Sequence, residues 1–249
     1  MKIVQVNDQV HVVTGTNVNW ALVTDPDGVT IVDAGYRNDH DALLASIDHI
    51  GRRPEDVRAI VLTHAHLDHL GGIPALRALH PVPVLTSEQE ARHARREHLE
   101  QITPAQMLRQ CTTRAGRRWV AQTLRAVLPE ASMELQDVSI ATPGEPLDLP
   151  GELVTVATPG HTSGHTAWLM PSTGVVFTGD ALVTGHPISC QGSGPQLLPT
   201  VFNEDEAVMA RSLEVIGALP ADTIVPGHGE HVRGDLAAIT AAVSARANR

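Results

Sequence analysis

Three imidazoles and one carboxylate fall within the six residues His64-Ala65-His66-Leu67-Asp68-His69, directly after the apolar run Val57–Leu62. Groups of this kind lose hydration at the end of a buried strand unless something pairs with them, so their concentration there points to a metal ion. In extended backbone, residues two apart point the same way. His64 and His66 can therefore converge on one ion. Asp68 and His69, where the chain turns, can reach a second ion beside it. Neutral imidazole and carboxylate oxygen suit zinc, and also iron and manganese.

Such ligands need rigid strand ends to hold them, and the patterning supplies these. Residues 2–6, 10–14, 18–24, 29–33, 57–62 and 82–85 read as strands, with Asp25-Pro26-Asp27-Gly28 as a hairpin turn in which Pro sets φ and Gly takes φ > 0. Helices are expected over 39–50, with Gly51 as C-cap, and over 73–80, with Pro74 in the first turn. Glu, Gln, Arg and Ala dominate 86–128, which predicts two or three helices ended by Pro129. Strands resume at 137–140, 152–157, 166–170 and 175–178, the last two joined by the turn Pro171–Gly174. A Gly- and Pro-containing loop follows over 181–202, a length usually tied to function. Asn203 then caps a helix over 204–218, a strand covers 223–225, and a helix over 235–248 closes the chain. Both halves carry a hairpin, helices and strands ending in ligand-type residues. The chain 1–249 thus reads as one α/β domain, with 86–135 a helical insertion between halves and a candidate lid.

Three later strand ends extend the metal reading. His161 closes Thr158-Pro159-Gly160-His161, Asp180 closes Phe177-Thr178-Gly179-Asp180, and His228 closes Val225-Pro226-Gly227-His228. Each follows a glycine that lets the backbone turn tightly.

With Asp33 in Val32-Asp33-Ala34-Gly35, the HxHxDH motif at 64–69, and His161, Asp180 and His228 in that order, nearly the whole chain resembles the metallo-β-lactamase-fold metallohydrolases, in their glyoxalase II-like and lactonase-like branch. The resemblance implies a four-layered αβ/βα sandwich with the site at one edge. It implies one metal on His64, His66 and His161, a second on Asp68, His69 and His228, and Asp180 bridging both. Two divalent ions, zinc foremost with iron or manganese as alternatives, would share a hydroxide that attacks a small ester, thioester or lactone carbonyl. Asp68 would orient that hydroxide or shuttle its proton. Asp33 would hold a ligand histidine from behind, and His165 would have a similar supporting role.

Tyr36, His186 and Cys190 are candidate substrate contacts. The competing readings are packing for Tyr36, a solvated side chain for His186 and an inert thiol for Cys190. Arg92, Arg95, Arg96, Arg109, Arg114, Arg117 and Arg118 could grip an anionic substrate, but a solvated helical face balanced by Glu88, Glu90, Glu97 and Glu100 is the favoured expectation.

Composition narrows the function classes. A formal charge of −10 is a poor start for a nucleic-acid partner, so a small-molecule substrate is expected. No apolar run approaches the roughly 18 residues of a spanning helix, and the N-terminus reads as a strand, not a signal peptide. Two cysteines, Cys111 and Cys190, are too few for a disulfide framework. The expected location is the cytoplasm, without membrane attachment. Oligomeric state is left open, with a homodimer allowed. Only 21 residues follow His228 and the sole lysine is Lys2, which disfavours a glutathione-thioester hydrolase. Ala181, Leu182 and Val183 stand where lactonases of this kind place a tyrosine, which weakens that match. Two other readings stay open: a mononuclear iron oxygenase like the persulfide dioxygenases, and a non-enzymatic scaffold with a structural metal.

Overall fold

Side chains alternate across a strand, and in this chain both faces of the central strands are apolar. Each strand must therefore be covered twice. The computed structural model, which describes residues 1–128 and 133–247, shows how. The first sheet runs in sequence order through β1 (Lys2–Gln5), β2 (Val10–Thr14), β3 (Asn19–Asp25), β4 (Gly28–Val32), β5 (Val57–Val61), β6 (Val84–Thr86) and β7 (Ser139–Ile140). Its first four strands are antiparallel and β4 to β7 are parallel. Helices α1 (His40–His49), α2 (Leu67–Leu70), α3 (Ile73–Leu79), α4 (Glu88–Ala94), α5 (Pro104–Gln110) and α6 (Arg114–Val127) lie in its crossovers. The second sheet contains β8 (Val154–Ala157), β9 (Thr166–Met170), β10 (Val175–Gly179), β11 (Thr223–Pro226) and β12 (Val232–Arg233), with only β10 and β11 parallel. Helices α7 (Glu206–Gly217) and α8 (Leu236–Ala247) complete it.

On β3, Trp20 and Leu22 pack toward Leu43 and Ile47 of α1 and Ile73 and Leu76 of α3, while Ala21 and Val23 join Trp168, Met170 and Phe177 between the sheets. On β10, Val175 and Phe177 enter that same middle layer, and Val176 faces Leu213 and Ile216 of α7 and Leu236 and Val243 of α8. The result is the expected αβ/βα sandwich. Each fully buried large apolar side chain stabilises by about 1.5–3 kcal/mol. Three such layers can therefore support a sandwich edge where buried polar groups gather.

At that edge the sheets are stitched together. Thr166 N donates to Thr63 O at 2.9 Å, Trp168 Nε1 to Leu62 O at 3.0 Å and Asn19 N to Gly227 O at 2.7 Å. Buried Asn19 fixes the turn after β11, its Nδ2 donating to Pro226 O at 3.0 Å and Gly229 O at 2.7 Å.

Some expectations are corrected. The cap of α7 is Asp205, whose Oδ1 accepts from Val208 N at 2.9 Å, and not Asn203, which is drawn away by His161. The two-residue β12 and the single-turn α2 carry too few residues for any periodicity to show. The expected helix end at Pro129, residues 129–132 of the insertion and the last residue of the helix over 235–248 lie outside the described residues. Among the described residues no helix is long and apolar enough to cross a membrane.

Candidate metal centre

Five histidines each give one ring nitrogen to a protein acceptor and turn the other toward a common point. His64 Nδ1–H donates to Thr63 Oγ1 at 3.0 Å, and that hydroxyl donates on to Asp33 Oδ2 at 2.9 Å. His69 Nδ1–H donates to the same Asp33 Oδ2 at 2.8 Å. His161 Nδ1–H reaches Asn203 Oδ1 at 3.2 Å, and His228 Nδ1–H reaches Asn17 O at 2.6 Å. His66 is turned round: its Nε2–H donates to Glu100 O. A partner on one nitrogen assigns the tautomer and leaves the other lone pair free.

Those lone pairs crowd together. His161 Nε2 lies 3.2 Å from His64 Nε2 and 3.1 Å from His66 Nδ1, a crowding of ring nitrogens that a cation among them would relieve. His64, His66 and His161 form one trio with ligand atoms within 4.8 Å of one another, and Asp68, His69 and His228 form another. Asp180 stands between them. Its Oδ2 is 3.5 Å from His161 Nε2 and 3.2 Å from His228 Nε2, and its Oδ1 is 3.6 Å from His69 Nε2.

The donor set fits divalent cations. His69 Nε2 and Asp180 Oδ1 are buried without a hydrogen-bond partner, a costly arrangement that a metal bond would relieve. Burial pushes His64 and His161 well down, so these rings are neutral. Burial also opposes charge on His69, but the carboxylates Asp33, Asp68 and Asp180 outweigh it and hold the ring up at about 10. The second trio thus attracts positive charge.

Backbone geometry serves the same end. Asp33 (φ 61°) and Asn17 (φ 62°) adopt left-handed conformations uncommon for residues with a side chain, and each offers an acceptor to a ligand histidine. Gly179 has φ 48°, as the turn reading expects. Gly227 is glycine for another reason: a Cβ there would stand 2.3 Å from Asp180 Oδ1 and 2.9 Å from His69 Cε1. His165 has both nitrogens engaged. Nδ1–H donates to Thr158 Oγ1 at 2.9 Å, and Nε2 accepts Asp180 N–H at 3.1 Å. Burial lowers it to about 4, so it is a neutral brace for Asp180 and not a ligand.

A cavity of about 280 Å³ opens over His66, Asp68, His161, Asp180 and His228. Its walls come from the insertion, through Ile102, Met107, Trp119 and Val127, and from the end of the long loop, through Leu198 and Phe202. Tyr36 is buried and lines it. So does His186, which is partly buried, with its ring 5.2 Å from His228 and 5.8 Å from Trp119, so the solvated reading of His186 is corrected. Cys190 is exposed and stands outside the lining, which removes it from the substrate contacts. Among the described residues no lysine or arginine lines the cavity. The solvated-face expectation holds for Arg92, Arg95 and Glu97, which pair with one another, but fails for Glu90, which is buried. Charged helical residues usually face water, and only tertiary packing reveals the exception.

Comparison with known proteins agrees with this geometry. The family model for the metallo-beta-lactamase superfamily matches residues 13–228. A hydroxyacylglutathione hydrolase of Enterobacter sp. (strain 638) is 32% identical over 209 residues, covering 84% of this chain, which spans only 60% of that enzyme's length. An uncharacterised protein, YobT of Bacillus subtilis (strain 168), is 24% identical over 87% of this chain and 84% of its own. In structure, a metallo-beta-lactamase family protein from Thermus thermophilus superposes with a TM-score of 0.65 at 24% identity, over 93% of this chain and 74% of its own. The HxHxDH side chains, the strand ends that carry them and the family match over most of the chain lead to one assignment: the chain belongs to the metallo-beta-lactamase superfamily.

Proposed function

We propose that this protein is a hydrolase that uses two divalent ions, zinc by preference, to open the ester, thioester or lactone carbonyl of a small substrate with an uncharged, apolar acyl part. The observation that carries the reading is the pair of His/Asp trios flanking Asp180 at the floor of a cavity whose other walls are mainly apolar. His64, His66 and His161 would hold one ion, Asp68, His69 and His228 the other, and Asp180 both. Ions so placed lower the pKa of a shared water toward about 7 and polarise a carbonyl oxygen.

The chain's own residues do the rest. Asp68 Oδ2 lies 3.6 Å from His228 Nε2 and 3.8 Å from His69 Nε2 at the cavity floor, where it can orient a water and take its proton. Trp119, Met107, Leu198 and Phe202 seat the acyl part and exclude water from it. The resemblance to hydroxyacylglutathione hydrolases supports hydrolysis at a carbonyl. Walls without a cation favour a substrate other than an anionic glutathione conjugate.

The test is hydrolysis of p-nitrophenyl esters and lactones of increasing alkyl length by zinc-loaded protein. Each buried methylene contributes about 0.8 kcal/mol, so kcat/KM should rise up to about fourfold per added carbon until the cavity is filled. His66→Ala should remove the activity. Retained turnover in that variant, or no turnover on any acyl substrate, overturns the proposal.

A further inference from the structure

The two trios share Asp33, which holds His69 directly and His64 through Thr63, but their remaining supports differ. The second is braced by the sandwich itself: Asp33 after β4 grips His69, and the Asn17 carbonyl before β3 grips His228. The first has, besides Asp33 behind His64 and Asn203 behind His161, a brace from the start of the insertion. Ala65, the residue between His64 and His66, has both of its peptide groups taken. Glu90 Oε2 accepts Ala65 N–H at 2.7 Å, and Arg96 Nη1 donates to Ala65 O at 3.0 Å.

Glu90 lies on α4 and is 1% exposed. Its other oxygen, Oε1, accepts from Thr162 Oγ1 at 2.5 Å, and Thr162 directly follows the ligand His161. Its Oε2 also accepts from His93 Nδ1 at 3.2 Å. Glu100 spans the same two loops a second time. Its carbonyl accepts from His66 Nε2, and its Oε2 accepts from Ser163 N at 2.6 Å. Ser87, the N-cap of α4, donates to Gly164 O at 2.6 Å, so the helix start is seated on the His161 loop.

A carboxylate in a dry interior is costly unless each oxygen is satisfied. Glu90 meets that condition only where the HxH segment and the His161 loop meet. Its position therefore depends on the three ligands of one ion being in register, and their register depends on it. Arg96 adds the opposing grip, from a backbone at φ 59° and with a second bond from Nε to Met133 O at 2.8 Å.

We infer that Glu90 and Arg96 are positioning residues for the His64–His66–His161 ion, so that the start of the insertion tunes the affinity of that metal site with little effect on the other. The inference rests on the two-ion reading above. No sequence motif marks these residues, because the groups they hold are mainly peptide atoms.

The experiment is a zinc titration of metal-free protein by calorimetry, with the two sites assigned through His161→Ala and His228→Ala. Removing outer partners of metal ligands typically costs 10–100-fold in affinity. Glu90→Gln and Arg96→Ala should each weaken the site that His161→Ala abolishes by about that factor, and leave the other site within about twofold. Circular dichroism of the metal-free variants confirms folding; if Glu90→Gln fails to fold, Arg96→Ala alone decides. Equal weakening of both sites, or of neither, overturns the inference while the wild-type stoichiometry of two still supports the reading beneath it. A wild-type stoichiometry of one removes both.

Discussion

Replacing Asp33 by Asn changes the one carboxylate that holds His69 directly and His64 only through the Thr63 hydroxyl. The side chains have the same shape, and Asn tolerates the left-handed backbone that Asp33 adopts at φ 61°, so the fold at the end of β4 should persist. What changes is hydrogen-bond polarity. Asp33 Oδ1 accepts from Thr63 N at 2.8 Å, and Oδ2 accepts from both Thr63 Oγ1 and His69 Nδ1. An amide keeps its oxygen on Thr63 N and presents an NH₂ to His69 Nδ1–H, so donor faces donor. His69 escapes by moving its proton to Nε2, the nitrogen that must coordinate. A lost buried hydrogen bond of this kind costs about 1–3 kcal/mol, which at about 1.4 kcal/mol per tenfold is roughly 5- to 150-fold in affinity. Zinc titration should show that loss at the Asp68–His69–His228 site and a smaller one at the other, where a hydroxyl that can turn to accept stands between Asp33 and His64. Wild-type affinity at both sites in a folded Asp33→Asn protein would refute the assignment of Asp33 as the partner that fixes the His69 tautomer.

Other perturbations test other parts of the account. Gly227→Ala places a methyl 2.3 Å from Asp180 Oδ1, so the protein should lose most bound metal and activity, as elemental analysis would show. Trp119→Ala removes the largest apolar wall of the cavity, so KM for long-chain esters should rise tenfold or more while short acetyl esters change little in a steady-state assay. His165 is neutral in the fold at about 4 but protonates near 6.5 when unfolded. The unfolded chain then binds the extra proton between those values. This contribution to stability is complete above about pH 6.5 and is lost as pH falls toward 4, about 1.4 kcal/mol per unit and at most about 3 kcal/mol in all. Urea unfolding of wild type against His165→Asn between pH 4.5 and 7 should show the shallower slope in the variant.

The candidate ligands and the strands were legible because each rests on a local rule. Short apolar runs marked β3 and β10, and imidazoles spaced by two after Val57–Leu62 marked a candidate metal site. The sources of the cavity walls were legible too, in the loop 181–202 and the insertion. What could not be read depends on contacts distant in sequence. Asn203 and Asp205 are equally good caps, and only the ring of His161, some forty residues away, decides that Asn203 is diverted. Glu90, Glu100 and Arg96 sit in a run of charges that looks solvated, and nothing local distinguishes them from Glu97, which does face water. Gly227 looks like a turn glycine, but the need is room for Asp180 and His69.

The central claim is two ions sharing Asp180, and crystals of zinc-loaded protein test it most directly through the anomalous signal of the metal. The account predicts two peaks about 3.5–4 Å apart, one bonded by His64, His66 and His161, the other by Asp68, His69 and His228, with an Asp180 oxygen on each or between them. A single fully occupied peak, or a second peak away from the Asp68, His69 and His228 side chains, would contradict it.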